Sequence, residues 1–524
     1  MQRKSKSWSI IFCFFLIVTE SFGQPFYNIL DYGGDNTGNK KSSDAIIKAI
    51  SEASGKGGGT IFFPAGEYLT GPIHLQSNIT LYIDAGARII FSDDFEDYLP
   101  MVESRFEGVD VTNFSPLIYA NGAENITIMG RGSLDGSGKE WWLTFFKLIK
   151  LGKDTTTQWQ ELFKENNAGI ILPDNPQMME LGFLRPPFIQ FMHCKNIRIE
   201  GVTIRNSPFW TVNPEFCENV TVEGITILNP PSPNTDGINP SSCRNVHISN
   251  CHISVGDDCI TIKSGKDEPG RLKNVPAENY TITNCTMLSG HGGVVIGSEM
   301  SGGVRKIVIS NCVFDGTDRG IRIKSTRGRG GVVEDIQVSN IVAKNIKKEI
   351  FMFNLRYSQT KPEPVSERTP RFRNIHISNV TGNAKQICAV KGLEEMPVKD
   401  LSFSNIDVNA ERGFTIDRAE NIRLFNIQMS SEKGPSVSIS NSEIILMNGV
   451  QNLSPLTDVP VIELDNVKEV FIYNCFQPVV TDIFLKVSGK ESNHIFLTNN
   501  QQHLTTKLVE TSNEVSDKAV VIKK

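Results

Sequence analysis

The sequence of 524 residues predicts an all-β chain that winds into a parallel β-helix, and three observations support this fold class. Short runs of alternating apolar and polar residues recur along most of the chain, as expected of strands. Many of these runs end at an Asn, and the repeated Asn residues between positions 250 and 426 lie 21 to 39 residues apart. Constant strands with variable loops bury a continuous core only when the units stack.

The first residues have the pattern of a secretory signal peptide. A basic start precedes an apolar run from Trp8 to Val18 and a short stretch that ends at Gly23. We therefore expect residues 1–23 to be cleaved near Gly23 and the remainder to be exported, to the periplasm or the cell exterior. The apolar run is short for a bilayer and no later segment is long and uncharged enough, so no membrane span is expected.

The remaining elements are predicted in chain order. Residues 44–53 have helical periodicity, which predicts a short helix that caps the N-terminal end of the stack. Residues 140–180 interrupt the repeat, and they form either a wall or lid of a site or a surface insertion. Residues 459–484 predict further coils, and a tail from about residue 488 is expected to fold back as a cap. We expect residues 24–524 to form a single domain.

The repeated residues also predict what lies in the stack. We interpret the repeated Asn as an internal ladder of side-chain amides at a turn, because Asn tolerates left-handed backbone. Cys251, Cys285 and Cys312 each follow such an Asn, which predicts a column of buried thiols. Disulfides elsewhere among the ten cysteines stay open. A net charge of −5 and the lack of a basic stripe with interleaved aromatic residues argue against a nucleic-acid partner.

Aligning the coils on the repeated Asn brings polar residues into columns. Asp257, His291 and Asp318 each lie seven residues after such an Asn. The strands that follow alternate, so that Ile and Val point inward and four polar residues point outward. These outward residues are Thr261, Lys263, Arg322 and Lys324. The outward face is therefore a candidate cleft floor.

Matching Ile238 to Ile260 stacks Asp236 over Asp258 on neighbouring strands. Asp257 is adjacent, and Gly256 is expected to open a turn or bulge that lets both Asp257 and Asp258 face the cleft. Clustered carboxylates raise one another's pKa, and a retained proton is what a general acid needs. Ordinary alternatives remain for single residues: Asp318 is interpreted as a turn former, and His291 could serve a turn.

Four motifs resemble glycoside hydrolase family 28, the polygalacturonase family, over roughly residues 26–426. They occur in the family's order, as Asn234-Thr235-Asp236, Gly256-Asp257-Asp258, Gly290-His291-Gly292 and Arg322-Ile323-Lys324. The resemblance implies a right-handed parallel β-helix and an inverting hydrolase that needs no metal or other cofactor. It also implies a pectic substrate that contains galacturonic acid. We expect a monomer.

The resemblance also implies roles. Asp257 is similar to the general acid, Asp236 and Asp258 to the pair that activates water, and His291 to a group that supports the acid. The residues expected to bind substrate are Arg322, Lys324, Lys263, Asn234 and Arg327. The loop 325–331 is similar to that of bacterial exo-acting members, which with the 140–180 insertion favours removal of terminal residues. Asn213 stands where many relatives have His, which leaves the substrate subtype open.

The sequence alone leaves two rival functions open. A polysaccharide lyase shares the β-helix but cleaves by elimination, usually with calcium held by acidic residues, and the motif order argues against it. A non-catalytic β-helix that only binds glycans is the second rival, and for it Asp257→Asn would leave function unchanged.

Overall fold

The computed structural model describes residues 25–152, 156–173, 177–500 and 503–523. The expected signal peptide lies outside this range. Within it the chain is a stack of coils joined by parallel strand pairing, as predicted. No helix among the described residues is long and apolar enough to cross a membrane.

Two faces of the stack are built in its first half from short strands. One face contains Phe26–Asn28, Gly59–Phe63, Ile79–Ile83, Glu124–Gly130, Lys195–Glu200, Glu218–Glu223, Arg244–Ser249 and Ala277–Thr283. The adjoining face contains Thr37–Lys41, Gly66–Thr70, Ala87–Phe91, Ser133–Asp135, Thr203–Arg205, Thr226–Leu228, His252–Ser254 and Thr286–Ser289. Alternate residues of these strands are buried, so their Ile, Val and Leu side chains form the interior.

A third face supports the candidate site. Its strands are Ile73–His74, Ile118–Asn121, Ile189–Met192, Val212–Glu215, Asp258–Ile262, Gly292–Ile296 and Ile321–Lys324. Longer strands then bend through more than one face: Val304–Asp315, Val332–Asn354, Arg371–Lys391, Val398–Asp417, Ala419–Ser431, Val437–Asn452 and Ile462–Tyr473. The last strands are Thr481–Ser488, Asn493–Thr498, Thr505–Thr511 and Val520–Lys523.

Helices cover the start of the stack and one flank. They are Ser43–Gly55, Lys139–Leu151, Gln158–Asn166, Gln177–Glu180 and Asp267–Lys273, with 3₁₀ turns at Ile29–Tyr32 and Phe95–Tyr98. The first of these is the expected N-terminal helix, and it packs Ala45, Ile46, Ala49, Ile50 and Ala53 against the core. One antiparallel hairpin, Val102–Phe106 with Val109–Asn113, stands outside the repeat.

The Asn ladder exists, but its predicted interior position is wrong. Asn340 Nδ2 donates to Asn311 Oδ1 over 3.1 Å, and Asn379 Nδ2 donates to Asn340 Oδ1 over the same distance. These side chains are exposed at turns with left-handed backbone, where φ of Asn340 is 57°. The ladder therefore lies on the outer corner of the stack, because a turn leaves its side chain pointing away from the core.

The predicted thiol column is present inside the stack. Cys251, Cys285 and Cys312 are each at most 1% exposed, and every cysteine in the described part of the chain is unpaired and buried. Their thiols donate to nearby backbone carbonyls at 3.2 Å. The cysteines act as small apolar residues, and no disulfide joins the described residues.

The C-terminal tail differs from the expected cap. Beyond residue 488 the strands Asn493–Thr498 and Thr505–Thr511 pair parallel with strands of the preceding coil. Val520–Lys523 in turn pairs parallel with Asn493–Thr498. The tail continues the stack and does not fold back, because apolar residues such as Ile495 and Leu497 keep the inward alternation.

Candidate active site

A cavity of about 450 Å³ opens on the outward side of the third face. It gathers eight of the nine residues predicted from the sequence: Asn234, Asp236, Asp257, Asp258, Lys263, His291, Arg322 and Lys324. The ninth, Arg327, is not among its lining residues, because its guanidinium makes two hydrogen bonds to Glu395 at 2.5 and 2.7 Å.

The predicted stacking of the carboxylates is confirmed. Ile238 pairs with Ile260, and Gly237 N donates to Asp258 O at 3.0 Å, which sets Asp236 beside Asp258 on the next coil. One oxygen from each of Asp236, Asp257 and Asp258 lies within 4.8 Å of the others. The chain bends at Gly256, as predicted, and a Cβ there would lie 2.4 Å from Ser232 O, so the close approach requires glycine.

Each carboxylate has a different set of partners. Asp258 accepts from Lys324 Nζ at 2.8 Å and lies 3.7 Å from Arg322. Asp236 accepts from Asn239 Nδ2 at 2.9 Å. Asp257 Oδ1 lies 3.0 Å from His291 Nδ1. The side chain of Asp257 is 21% exposed against 1% for Asp258, so Asp257 is the carboxylate most open to a ligand.

The pKa values of these groups are shifted in different directions because their surroundings differ. Burial, and then the charge of Asp257, raise the pKa of Asp236 well above its ordinary value. Burial also acts to raise the pKa of Asp257, but the hydrogen bond from His291 and nearby cations lower it overall. The same hydrogen bond raises the pKa of His291. The raised pKa values therefore favour a retained proton on Asp236 and on His291, and His291 shares a hydrogen bond with Asp257.

The cations of the cavity differ in how fully they are paired. Lys263 Nζ donates to Glu299 at 2.7 Å and lies 4.5 Å from the ring centroid of Trp210. Burial acts to lower the pKa of Lys263, yet the nearby carboxylates raise it overall, so it stays charged. Arg322 has the looser contact, 3.7 Å to Asp258. Arg322 is therefore better placed than Lys263 to bind an incoming carboxylate.

The acid cluster also has the geometry of a cation site, since three carboxylate oxygens converge. Lys324 already lies in hydrogen-bond contact with Asp258, and Arg322 lies close to it. These side chains supply the positive charge that a metal ion would otherwise bring. The two cations therefore suit a substrate carboxylate, whereas the three carboxylate oxygens are the groups that suit a divalent ion.

Sequence reasoning missed seven residues that line the cavity. They are Glu107, Trp210, Ser298, Glu299, Arg319, Lys348 and Tyr357. Glu299 and Tyr357 each lie three residues beyond the end of a strand of the third face, at Ile296 and Asn354. That spacing could have predicted Glu299 and Tyr357 from the sequence. Glu107 could not be predicted in this way, because it comes from a hairpin outside the repeat.

The hairpin brings Glu107 into the lining of the cavity. Phe106 stacks on Phe209 with ring centroids 4.6 Å apart, and Glu107 accepts from Lys266 Nζ at 3.0 Å. Near the turn of the hairpin, Arg105 lies 3.5 Å from Glu215, and burial raises the pKa of Glu215 to about 7. These contacts hold the hairpin against the stack of coils.

The 140–180 insertion does not line the cavity in the part of the chain that the structure describes. Its helix Lys139–Leu151 buries Trp141 against Phe95 and Phe114, with ring centroids 4.3 and 5.3 Å apart. Of the two alternatives for this segment, the surface insertion therefore fits the described residues, and the hairpin lines the cavity through Glu107.

Asn213 does not reach the cavity either. It is fully buried and donates to Glu215 Oε1 and to the backbone oxygen of Asn239. It therefore belongs to a polar network beneath the hairpin and makes no subsite contact.

Residues 174–434 match the family described as Glycosyl hydrolases family 28, and residues 26–128 match the one described as Rhamnogalacturonase A/epimerase, pectate lyase-like. A probable polygalacturonase of Vitis vinifera is 32% identical over 394 residues, covering 73% of this chain and 74% of the relative. An exo-poly-alpha-D-galacturonosidase of Dickeya chrysanthemi is 27% identical over 373 residues, covering 68% of this chain and 61% of the relative.

A solved structure is also similar to this chain in sequence and in fold. The hyperthermoactive exopolygalacturonase of Thermotoga maritima is 36% identical and superposes with a TM-score of 0.69, covering 77% of this chain and 91% of that one. The parallel β-helix is right-handed, as in the polygalacturonase structures to which it is similar.

Proposed function

The chain belongs to glycosyl hydrolases family 28 and is a polygalacturonase-type glycoside hydrolase; from this we propose that it removes terminal galacturonic acid from pectic glycans by inverting general acid/base catalysis. The observation that carries the proposal is the convergence of Asp236, Asp257 and Asp258 within 4.8 Å, beside a loosely paired arginine.

Substrate binding follows from the cations. Arg322 presents a guanidinium fork to the cavity, and a sugar carboxylate can replace its 3.7 Å contact with Asp258. Lys324 lies next to it, and both charges lie within 5.5 Å of the ring centroid of Tyr357. This local positive charge lets an acidic protein bind an acidic polymer.

The proton for the leaving oxygen comes from the His291–Asp257 pair. Asp257 is the most open carboxylate, so it faces the glycosidic oxygen, and the pair holds one proton while His291 is charged. Transfer through Asp257 to the leaving oxygen reconciles a lowered pKa with the role of general acid. Asp236 and Asp258, on neighbouring coils, then orient and deprotonate the attacking water.

The pH profile of kcat/KM follows from these shifts. Activity should rise as Asp236 loses its proton, and this limb lies above the ordinary Asp range because the pKa of Asp236 is raised. Activity should fall as pH passes the raised pKa of His291, since the pair then loses its proton. His291→Gln should move the alkaline limb to lower pH. An alkaline limb that stays in place in this variant would contradict the role of the pair.

Inversion rests on the family resemblance, because the carboxylate spacing alone does not favour it. Inverting glycosidases usually separate acid and base by about 6.5–9.5 Å, whereas here the nearest oxygens lie within 4.8 Å. The anomer of the first product decides between inversion and retention.

Exo action is supported by the hairpin tip. Glu107 lines the cavity together with Trp210, so a substrate chain that passes it would bring its carboxylates toward a negative side chain. Glu107→Gln removes this charge and frees Lys266 from its partner. We expect the ratio of dimer to monomer released at low conversion to rise about tenfold, the effect of about 1.4 kcal/mol of relieved repulsion.

Glu103→Gln is the matched control for this experiment, because Glu103 lies on the same hairpin but does not line the cavity. Product chromatography should show no change for it. An unchanged dimer ratio in Glu107→Gln would mean that the tip does not limit substrate length.

The function is tested by reducing-end release from polygalacturonate and from rhamnogalacturonan oligomers, with a chelator present and ultraviolet absorbance followed. Release of saturated galacturonic acid supports the proposal, and the better substrate names the subclass. A chelator-sensitive unsaturated product would favour the lyase, and binding without cleavage would favour a glycan-binding protein.

We also propose that the chain is exported after cleavage near Gly23, forms one domain and acts as a monomer. N-terminal sequencing of the mature protein should then begin at Gln24, and sedimentation should give the mass of one chain.

A further inference from the structure

Arg185 is a buried arginine that none of the steps above uses. Its side chain is 1% exposed, and its guanidinium carbon lies 4.2 Å from the ring centroid of Phe145 and 5.2 Å from that of Phe209. Burial lowers its pKa to about 9, so it is charged at neutral pH. Burying a charge costs several kcal/mol unless its partners are well placed, which makes the contacts of this side chain informative.

The guanidinium makes three hydrogen bonds toward the cavity side. Arg185 NH1 donates to the backbone oxygens of Pro208 and Pro233 at 3.0 and 2.5 Å, and NH2 donates to Asn234 Oδ1 at 2.8 Å. Arginine has five N–H donors and no acceptor. The atom of the Asn234 amide that faces Arg185 must therefore be the oxygen.

This contact fixes what Asn234 shows to the cavity. Asn234 lines the cavity and is partly exposed, with a left-handed φ of 54°. Because Oδ1 is held by Arg185, the Nδ2 group is the end left for a ligand. Among the described residues no acceptor takes a hydrogen bond from this Nδ2 group.

We propose that Arg185 is a positioning residue that locks the Asn234 amide so that its Nδ2 group donates to a hydroxyl or carboxylate oxygen of the bound sugar. The inference rests on the proposed function, and it deepens it by giving the site a neutral donor on the side of the earlier coils. It also gives the 140–180 insertion a role, because Phe145 from this segment covers the guanidinium.

The test is a double-mutant cycle on binding, so that it does not depend on turnover. Trigalacturonate is titrated by calorimetry into the Asp257→Asn protein and into the same protein with Arg185→Lys, Asn234→Ala or both. Lysine keeps the charge but not the planar fork, and Arg185→Met is a second variant that also removes the charge. Thermal unfolding of each variant reports stability separately.

Asn234→Ala is expected to raise Kd about tenfold, because it removes one hydrogen bond from a neutral donor. A tenfold change corresponds to the upper end of the free-energy range for such a bond. Arg185→Lys should raise Kd about threefold to tenfold alone, and less than about twofold when Asn234 is already Ala. Equal effects of Arg185→Lys in both backgrounds, or a folded Arg185→Lys protein with unchanged Kd, would overturn the inference. Failure of the Asp257→Asn protein to bind trigalacturonate would overturn the inference together with the binding part of the proposed function. Tight, coupled binding with no hydrolysis by the unmodified chain would overturn the proposed function alone.

Discussion

Asp257→Asn is expected to lower kcat by about 10²–10⁴-fold, the range that general acid catalysis contributes. Asparagine keeps the shape of the side chain and can still contact His291, which lies 3.0 Å away, but it cannot deliver the proton. Asp257 is partly open, so the folded structure should be retained with an unchanged melting temperature. Initial rates on polygalacturonate measure the effect.

Asp318→Asn is the matched control for this substitution. Asp318 lies in the same column and lines the same cavity, but its carboxylate accepts from Lys348 at 2.9 Å and is interpreted as a turn former. Its loss should change kcat less than about threefold, as expected of a surface pair. Equal losses in the two variants would show that Asp257 has no special role.

The second large effect is expected for Lys324→Met. Lys324 and Asp258 are nearly buried, with side chains 8% and 1% exposed, so the variant leaves a carboxylate without its main partner. Breaking a buried pair in this way destabilises a fold by about 3–5 kcal/mol. The substrate carboxylate also loses a charged partner, so kcat/KM should fall about 100-fold or more. Urea unfolding and steady-state kinetics separate the two effects.

Lys348→Met serves as the comparison, since Lys348 also lines the cavity but is 50% exposed and pairs with Asp318. It should change stability by less than about 1 kcal/mol. A Lys324→Met protein that kept both its stability and its kcat/KM would remove Lys324 from the substrate site.

The sequence could predict the register of the site, that is, which residues of neighbouring coils lie beside one another. Once Ile238 is matched to Ile260, parallel pairing fixes Asp236 over Asp258, and the same alignment sets His291 next to Asp257. These residues lie at or just before the start of the repeated strands, where a shift by one position would turn the apolar side chains outward. The repeat therefore determined both the core and the column of candidate catalytic residues.

Residues outside the repeat could not be placed in this way. Glu107 lies at the turn of an antiparallel hairpin. The residue that donates to it, Lys266, is 159 residues away in sequence. Arg327 lies in a loop, and only the fold shows that Glu395 binds its guanidinium. The spacing of the Asn residues predicts that they lie at turns. It does not show whether their side chains face the core or the solvent, so the outward position of the ladder could not be predicted.

The most direct test of exo-acting, inverting hydrolysis is a ¹H NMR time course of polygalacturonate hydrolysis by the unmodified chain in the presence of a chelator. Saturated galacturonic acid monomer should accumulate first, and as the β-anomer, since inversion acts on an α-linkage. First release of the α-anomer would contradict the inverting mechanism. Unsaturated or long products would contradict exo-acting hydrolysis by the carboxylate cluster.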